Sequence, residues 1–139
     1  DPAEAVRYIE TLNKEAGGEY FAFCFDMGHA NLLGRNVYEF VKDLGGHLQI
    51  LHLHDNDGLH DLHNMPYVFT RSWGPGMSDW PALIKALHDT GYSGVLNFET
   101  CAALFAFPDE LHQDVRKFIC CIGHYLSDQI EQSEDRDTQ

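Results

Sequence analysis

Basic residues are scarce in this sequence. Its 139 residues carry 9 Lys and Arg against 22 Asp and Glu, a formal net charge of −13. A surface of that sign repels phosphate backbones, so no nucleic-acid partner is expected. No apolar run reaches the roughly 18 residues that a membrane-spanning helix requires, so no membrane partner is expected either. No charged stretch followed by an apolar segment opens the chain, and no signal peptide is expected. Position 1 is Asp rather than Met, which suggests a processed or cut N-terminus. The four cysteines (Cys24, Cys101, Cys120, Cys121) form no C-x-x-C pair and lie in or beside apolar segments. They read as buried or free thiols of a reducing, cytoplasmic compartment, not as a disulfide framework. Neither an internal repeat beyond a strand–helix unit nor a low-complexity linker is present.

What is present is an ordinary globular share of apolar residues, 44%, in a chain of single-domain length. Ala5, Val6, Ile9 and Leu12 recur at helical spacing and predict a helix over 3–16, ended by Gly17-Gly18. YFAFCFD, ending in Asp26, is short, aromatic and continuous, as a strand buried on both faces should be. GHANLLGRN reads as a loop. Val37, Phe40, Val41 and Leu44 mark a short helix closed by Gly45-Gly46. Residues 48–54 form a second strand. A long loop follows from Asp55 to Met77, and loops of that length are usually functional or mobile. Ser78 or Asp79 can cap the next helix, with Pro81 in its first turn and Leu83, Ile84 and Leu87 as its buried stripe. GVLNFET is a third strand. Pro108-Asp109-Glu110 opens a last helix with one apolar stripe of Leu111, Val115, Phe118, Ile119, Ile122 and Leu126. The end of the chain reads as a solvated polar tail.

A helix followed by three strand–helix units implies an α/β fold with a parallel sheet, whose working residues gather at the carboxyl ends of the strands. The chain is organised around ILHLHDNDGLHDLH, residues 50–63, which holds four of the nine histidines and three aspartates. Imidazole and carboxylate at this density suit a divalent metal. Side chains alternate along a strand, so Asp26 shares a face with Cys24, His54 with His52 and Ile50, and Glu99 with Asn97 and Val95. The opposite faces carry Phe23 and Phe25, Leu51 and Leu53, and Leu96 and Phe98. One face is therefore large and greasy, fit to pack under helices. The other turns polar at its C-terminal end. Parallel strands lie about 4.8 Å apart, so Asp26, His54 and Glu99 can converge on one ion at about 2.0–2.2 Å each.

FDMGH (Phe25–His29), HLHDNDGLHDLH (His52–His63), GPGMSDW (Gly74–Trp80) and GVLNFET (Gly94–Thr100), in that order and separated by helices, resemble the sugar phosphate isomerase/epimerase superfamily. That is the xylose isomerase-like TIM barrel group, which also holds the endonuclease IV type of DNA-repair enzyme. The resemblance implies a metal held by Asp26, His54 and Glu99. It implies that Glu99 doubles as an acid/base, that His52 sits one layer below His54, and that His29 contacts substrate or, in the nuclease type, metal. It matches Asp61 and His63 to the pair that binds a further zinc in that type. A closed barrel has eight strands and about 250 residues. The resemblance therefore places residues 1–130 as the C-terminal half, about strands 6–8, with 131–139 as a polar tail. The other metal-ligating Glu, the second acid/base, is then expected upstream of Asp1. A sheet of three parallel strands has two raw edges, so pairing with the N-terminal half of the barrel or self-association is expected.

Tyr67, Phe69, Arg71 and Trp73 lie in the long loop. There they would either form a lid over substrate, with Arg71 and Trp73 touching it, or pack against the barrel rim or a neighbouring subunit. The expected activity is a divalent-metal-dependent isomerase or epimerase (metal Mn, Mg, Co or Zn) acting on a sugar or related polyol by proton transfer through an enediolate. A related dehydratase would use the same groups. The alternatives are a multi-zinc phosphodiesterase and a fragment inactive on its own.

Overall fold

The computed structural model describes residues 1–69 and 77–132. The chain opens with helix α1, Pro2–Ala16. Asp1 caps it by accepting the Ala3 N–H at 2.9 Å, Pro2 takes the first turn, and Gly17 ends it in the left-handed region at φ 72°. Asn13, buried on α1, accepts the Tyr20 and Phe21 N–H groups at 2.8 Å each and donates to the Phe21 carbonyl at 2.9 Å. The helix thereby aims the chain into strand β1, Phe23–Asp26.

Strand β1 pairs in parallel with β2, Leu48–His52, with Asp26 opposite His52. Between them come α2, Met27–Leu32, and α3, Val37–Leu44, the latter capped by Asn36. The segment GHANLLGRN, expected as a loop, is thus largely helical. The Asp26 carboxylate accepts the His29 N–H at 2.8 Å and starts α2 directly at the strand end. Six residues are too few to display a helical period in sequence, and Gly28 argues locally against one.

The third strand is also modified. Residues 94–100 meet the sheet through two isolated parallel bridges, Ile50 to Val95 and Leu53 to Phe98, rather than as a continuous strand. At the second bridge the Leu53 N–H donates to the Asn97 carbonyl at 2.8 Å and the Glu99 N–H to the Leu53 carbonyl at 3.1 Å. At the first, the Tyr92 hydroxyl lies 3.2 Å from the Gln49 carbonyl and 3.1 Å from that of Val95, so a side chain competes for the ladder's acceptors. The parallel direction, and with it the placement of Glu99 beside β2, is kept.

Helix α4, Trp80–Asp89, is capped by Asp79, with Pro81 in its first turn. Helix α5, Cys101–Phe105, falls in a stretch that carries no periodic signal. A 3-10 turn at Asp109–Leu111 leads into α6, His112–Glu131.

The greasy strand face packs as expected. Phe25, Leu51 and Leu53 are buried with Val41 and Leu44 of α3 and Trp80, Leu83 and Leu87 of α4. Ile84 is only partly buried at its edge. The other face is bare: Cys24 is exposed, Ile50 is 49% exposed and Val95 72%. Helix α6 buries only part of its stripe. Val115 and Leu126 are buried, Ile119 and Ile122 partly so, while Leu111 and Phe118 lie open, because α6 packs against α4 and α5 along a narrow contact. The four cysteines are free, as one of the two readings held, but all four are exposed rather than buried.

Tyr67 packs rather than gates. Its ring lies 5.5 Å from that of Trp80 and 6.1 Å from that of Tyr125, joining the start of α4 to α6. Burial first, then the neighbouring Tyr125, pushes its hydroxyl up to about 12. A pKa raised on folding means that the neutral form is the stabilised one. Its contribution is complete below the unfolded value of about 10 and is lost as pH climbs toward the folded value. Ultraviolet titration should therefore show a late-ionising fraction made up of Tyr67 and Tyr92, whose hydroxyl burial also raises, and Tyr67→Phe should reduce that fraction. A titration unchanged in Tyr67→Phe would show that Tyr67 is not packed in this way.

Candidate metal centre

The strand ends deliver four imidazoles and three carboxylates to one patch. Asp26 ends β1, His52 ends β2, and His54 follows two residues later. Glu99 arrives beside Leu53 through the second bridge. The loop after β2 folds back on itself. Asp55 and Asn64 exchange backbone hydrogen bonds at 2.8 and 3.0 Å, and the buried Asp55 carboxylate accepts the Phe69 N–H at 3.0 Å. That fold returns Asp61 and His63 to the patch, with His63 held at φ 48°, a conformation uncommon for a non-glycine residue. Backbone strain of this kind tends to gather at functional sites.

The side chains form a closed circuit of alternating type. Asp26 Oδ2 lies 3.2 Å from His29 Nδ1, and His29 Nε2 lies 3.3 Å from Asp61 Oδ2. Asp61 Oδ1 lies 3.1 Å from His63 Nε2. His63 Nδ1 lies 3.2 Å from the Glu99 carbonyl oxygen and 3.7 Å from its carboxylate. Glu99 Oε2 lies 3.1 Å from His52 Nδ1, which returns to Asp26 Oδ2 at 3.8 Å. His54 forms the floor. It is fully buried, its Nε2 is 3.0 Å from Asp26 Oδ1, and its ring stacks on His63 with centroids 4.0 Å apart.

Electrostatics follow from this alternation. Burial alone would raise the Asp26 carboxyl. The His54 hydrogen bond and the His29 N–H outweigh it and hold the group below the ordinary carboxylate value. Asp61 is lowered in the same way, its desolvation outweighed by His29 and His63. For His63, desolvation disfavours charge, yet the Glu99 carbonyl and the Asp61 carboxylate raise its pKa. Cys24, next to Asp26 on the same face, is pushed up by burial and then by Asp26 and Glu99, so its thiol stays protonated and is a poor ligand.

Asp26, His54 and Glu99 each offer a ligand atom within 4.8 Å of the other two, and so do His54, Asp61 and His63. Atoms bound to one ion at about 2.1 Å are at most about 4.2 Å apart, so either set reaches an ion with small rotamer shifts. The donors also fit. One nitrogen and two carboxylate oxygens suit a divalent cation of borderline hardness, and His54 Nδ1 is buried with no hydrogen-bond partner. His29 is on the rim, its side chain 54% exposed, where a ligand can reach it. Arg71 and Trp73 lie outside the described residues.

Two features of the site were missed by sequence reasoning. His52 is not merely a layer below; it touches the Glu99 carboxylate directly. Gly28 is the other. A Cβ built on it would sit 1.9 Å from His54 Cε1, so only a glycine lets α2 close over the imidazole. The available signal was a glycine placed two residues after a strand-end Asp, beside His29.

The chain belongs to the xylose isomerase-like TIM barrel family, whose sequence pattern matches residues 1–120. Among curated proteins it is similar to the uncharacterised protein y4fM of Sinorhizobium fredii, at 34% identity over 101 residues, 70% of this chain and 30% of that one. It is also similar to the uncharacterised protein MJ1311 of Methanocaldococcus jannaschii, at 33% identity over 89 residues, 62% of this chain and 28% of that one. The chain thus spans about three-tenths of the length of these relatives. No solved structure matches it. Among the described residues no helix is long and apolar enough to cross a membrane.

The Gly28 contact gives a direct test. Gly28→Ala should destabilise the protein by about 1–3 kcal/mol in urea unfolding, as overpacking does. It should also shift the His54 ring resonances. A neutral substitution with unmoved His54 signals would show that the contact is loose.

Proposed function

We propose that this chain carries part of the active site of a divalent-cation-dependent isomerase or epimerase acting on a sugar or related polyol. The observation that carries the reading is the convergence of Asp26, His54 and Glu99 within 4.8 Å at the carboxyl ends of parallel strands. Asp26, His54 and Glu99 would hold the cation, Mn, Mg, Co or Zn. Bound there, it would supply Lewis acidity toward neighbouring substrate oxygens.

The chain's own groups do the rest. Glu99 is 41% exposed at its side chain and is the carboxylate best placed to take or return the proton on the carbon beside a carbonyl. His52 Nδ1 holds the Glu99 Oε2 oxygen at 3.1 Å and so orients the carboxylate. His29, on the rim, would hold a substrate hydroxyl, and Arg71 and Trp73 would complete the substrate contacts from the loop. We read residues 1–130 as the C-terminal half of the barrel, about strands 6–8, with 131–139 as a polar tail. The second acid/base and the cover for the bare sheet face then come from the N-terminal half, or the cover from self-association, and this stretch alone is inactive. Free thiols and an acidic surface suit a cytoplasmic setting and a small-molecule substrate.

A second reading has one observation in its favour. His29, Asp61 and His63 are joined by contacts of 3.3 and 3.1 Å, and Asp61 and His63 could take an additional metal, as a multi-zinc phosphodiesterase requires. The net charge of −13 opposes a nucleic-acid substrate.

Glu99→Gln in the full polypeptide should lower turnover by at least about 10²-fold, the contribution expected of a general acid/base. Retained turnover would remove Glu99 from the chemistry. Metal analysis of the purified full-length protein separates the readings: a single Mn, Mg or Co per chain favours the isomerase, and several zinc ions per chain favour the nuclease.

A further inference from the structure

Asn56 is wholly buried two residues beyond His54, and both polar atoms of its side chain are hydrogen-bonded. Its Nδ2 donates to the Gly28 carbonyl at 2.9 Å, and its Oδ1 accepts from Asn31 Nδ2 at 2.7 Å and from the Gly58 N–H at 3.0 Å. Its own N–H donates to the buried Asp55 carboxylate at 2.9 Å. Gly28 and Asn31 belong to α2, and Gly58 to the loop after β2. One amide therefore ties the helix after β1 to the loop after β2, at the height of the histidine cluster.

The tie falls at a telling position. The Gly28 backbone that it grips is the surface against which the His54 ring rests. The residue after Gly28 is His29, and the N–H of His29 is held by the same Asp26 oxygen that faces His54 Nε2. We propose that Asn56 is a positioning residue: by holding Gly28 over His54, it fixes the imidazole toward Asp26 and sets the geometry in which the cluster takes a cation.

This rests on the metal-site reading above. Asn56 itself touches none of the ligand atoms and acts through Gly28. A hydrogen-bonded group behind the ligands typically accounts for about 10–100-fold in metal affinity. An amide is required because the site needs a donor toward Gly28 and an acceptor toward Asn31 on one planar group. An Asp at 56 keeps the shape but, when ionised, turns an acceptor toward the Gly28 carbonyl.

The test uses Co²⁺ as probe on the full polypeptide, with visible absorption reporting ligand geometry, and histidine side-chain NMR on the metal-free protein. Asn56→Ala and Asn56→Asp should weaken Co²⁺ binding about 10–100-fold, alter the visible band, and shift the His54 ring signals without metal. Asn31→Ala, which removes the bond to Asn56 Oδ1 and leaves the grip on Gly28, should shift both in the same direction by less. It serves if the Asn56 variants fail to fold. Variants that lose stability but keep wild-type Co²⁺ affinity, visible band and His54 signals would overturn the proposal and leave Asn56 a loop anchor. If the wild-type protein binds no Co²⁺, the metal reading fails by itself, and the His54 signals in metal-free protein still decide whether Asn56 positions the ring.

Discussion

Three carboxylates are kept together here by the imidazoles set between them. Two bare carboxylates about 4 Å apart repel by about 4 kcal/mol at an effective dielectric of about 20, and three in one patch would push the strand ends apart. In this protein each carboxylate has an imidazole on either side: Asp26 between His29 and His52, Asp61 between His29 and His63, Glu99 between His52 and His63. Asp61 is lowered by its two flanking imidazoles and His63 is raised by the Glu99 carbonyl and Asp61, while Asp26 is lowered first by His54 beneath it and then by His29. The same arrangement keeps oxygen and nitrogen atoms of Asp26, His54 and Glu99 within 4.8 Å of one another.

The scaffold's contribution is mostly steric. Parallel pairing of β1 with β2 sets Asp26 across from His52, and the Leu53 bridge brings Glu99 alongside. Gly28 lets α2 begin immediately at Asp26 and lie against His54 without a clash. The antiparallel exchange between Asp55 and Asn64 turns the loop back so that the His63 ring stacks on His54. Each of these is a backbone arrangement on which the position of a side chain in the cluster depends.

The parts of this arrangement that obey a short rule were legible in the sequence. Period-2 alternation assigned the faces of both strands, so the burial of Phe25, Leu51 and Leu53 and the common face of Asp26 and His54 followed from position alone. The start of α4 was legible because a cap residue, Asp79, stood at the right offset, whereas the Asn36 cap of α3 lay inside a segment that read as loop. What was not legible depends on contacts between distant residues. Helix α2 owes its start to a carboxylate whose obvious reading was as a ligand. Helix α5 has no amphipathic pattern to display. The apolar stripe of α6 is covered along only part of its length, and Phe118 stands 56% exposed. The weakening of the third strand follows from the placement of the Tyr92 hydroxyl, which no local pattern encodes.

The bare sheet face bears on how the site works. Parallel sheets are ordinarily covered on both faces, because their strands are apolar on both. Here Ile50 and Val95 stand open at 49% and 72%, directly below the carboxylate–imidazole circuit. The His52 and Glu99 side chains are themselves 37% and 41% exposed, and water weakens every charge interaction it reaches. Covering this face would do more than bury two aliphatic side chains. It would lower the local dielectric around Glu99, strengthen its contact with His52, and raise the cost of leaving its charge without a cation. Any cover over Ile50 and Val95 would thus act on the cluster electrostatically as well as by burying apolar surface.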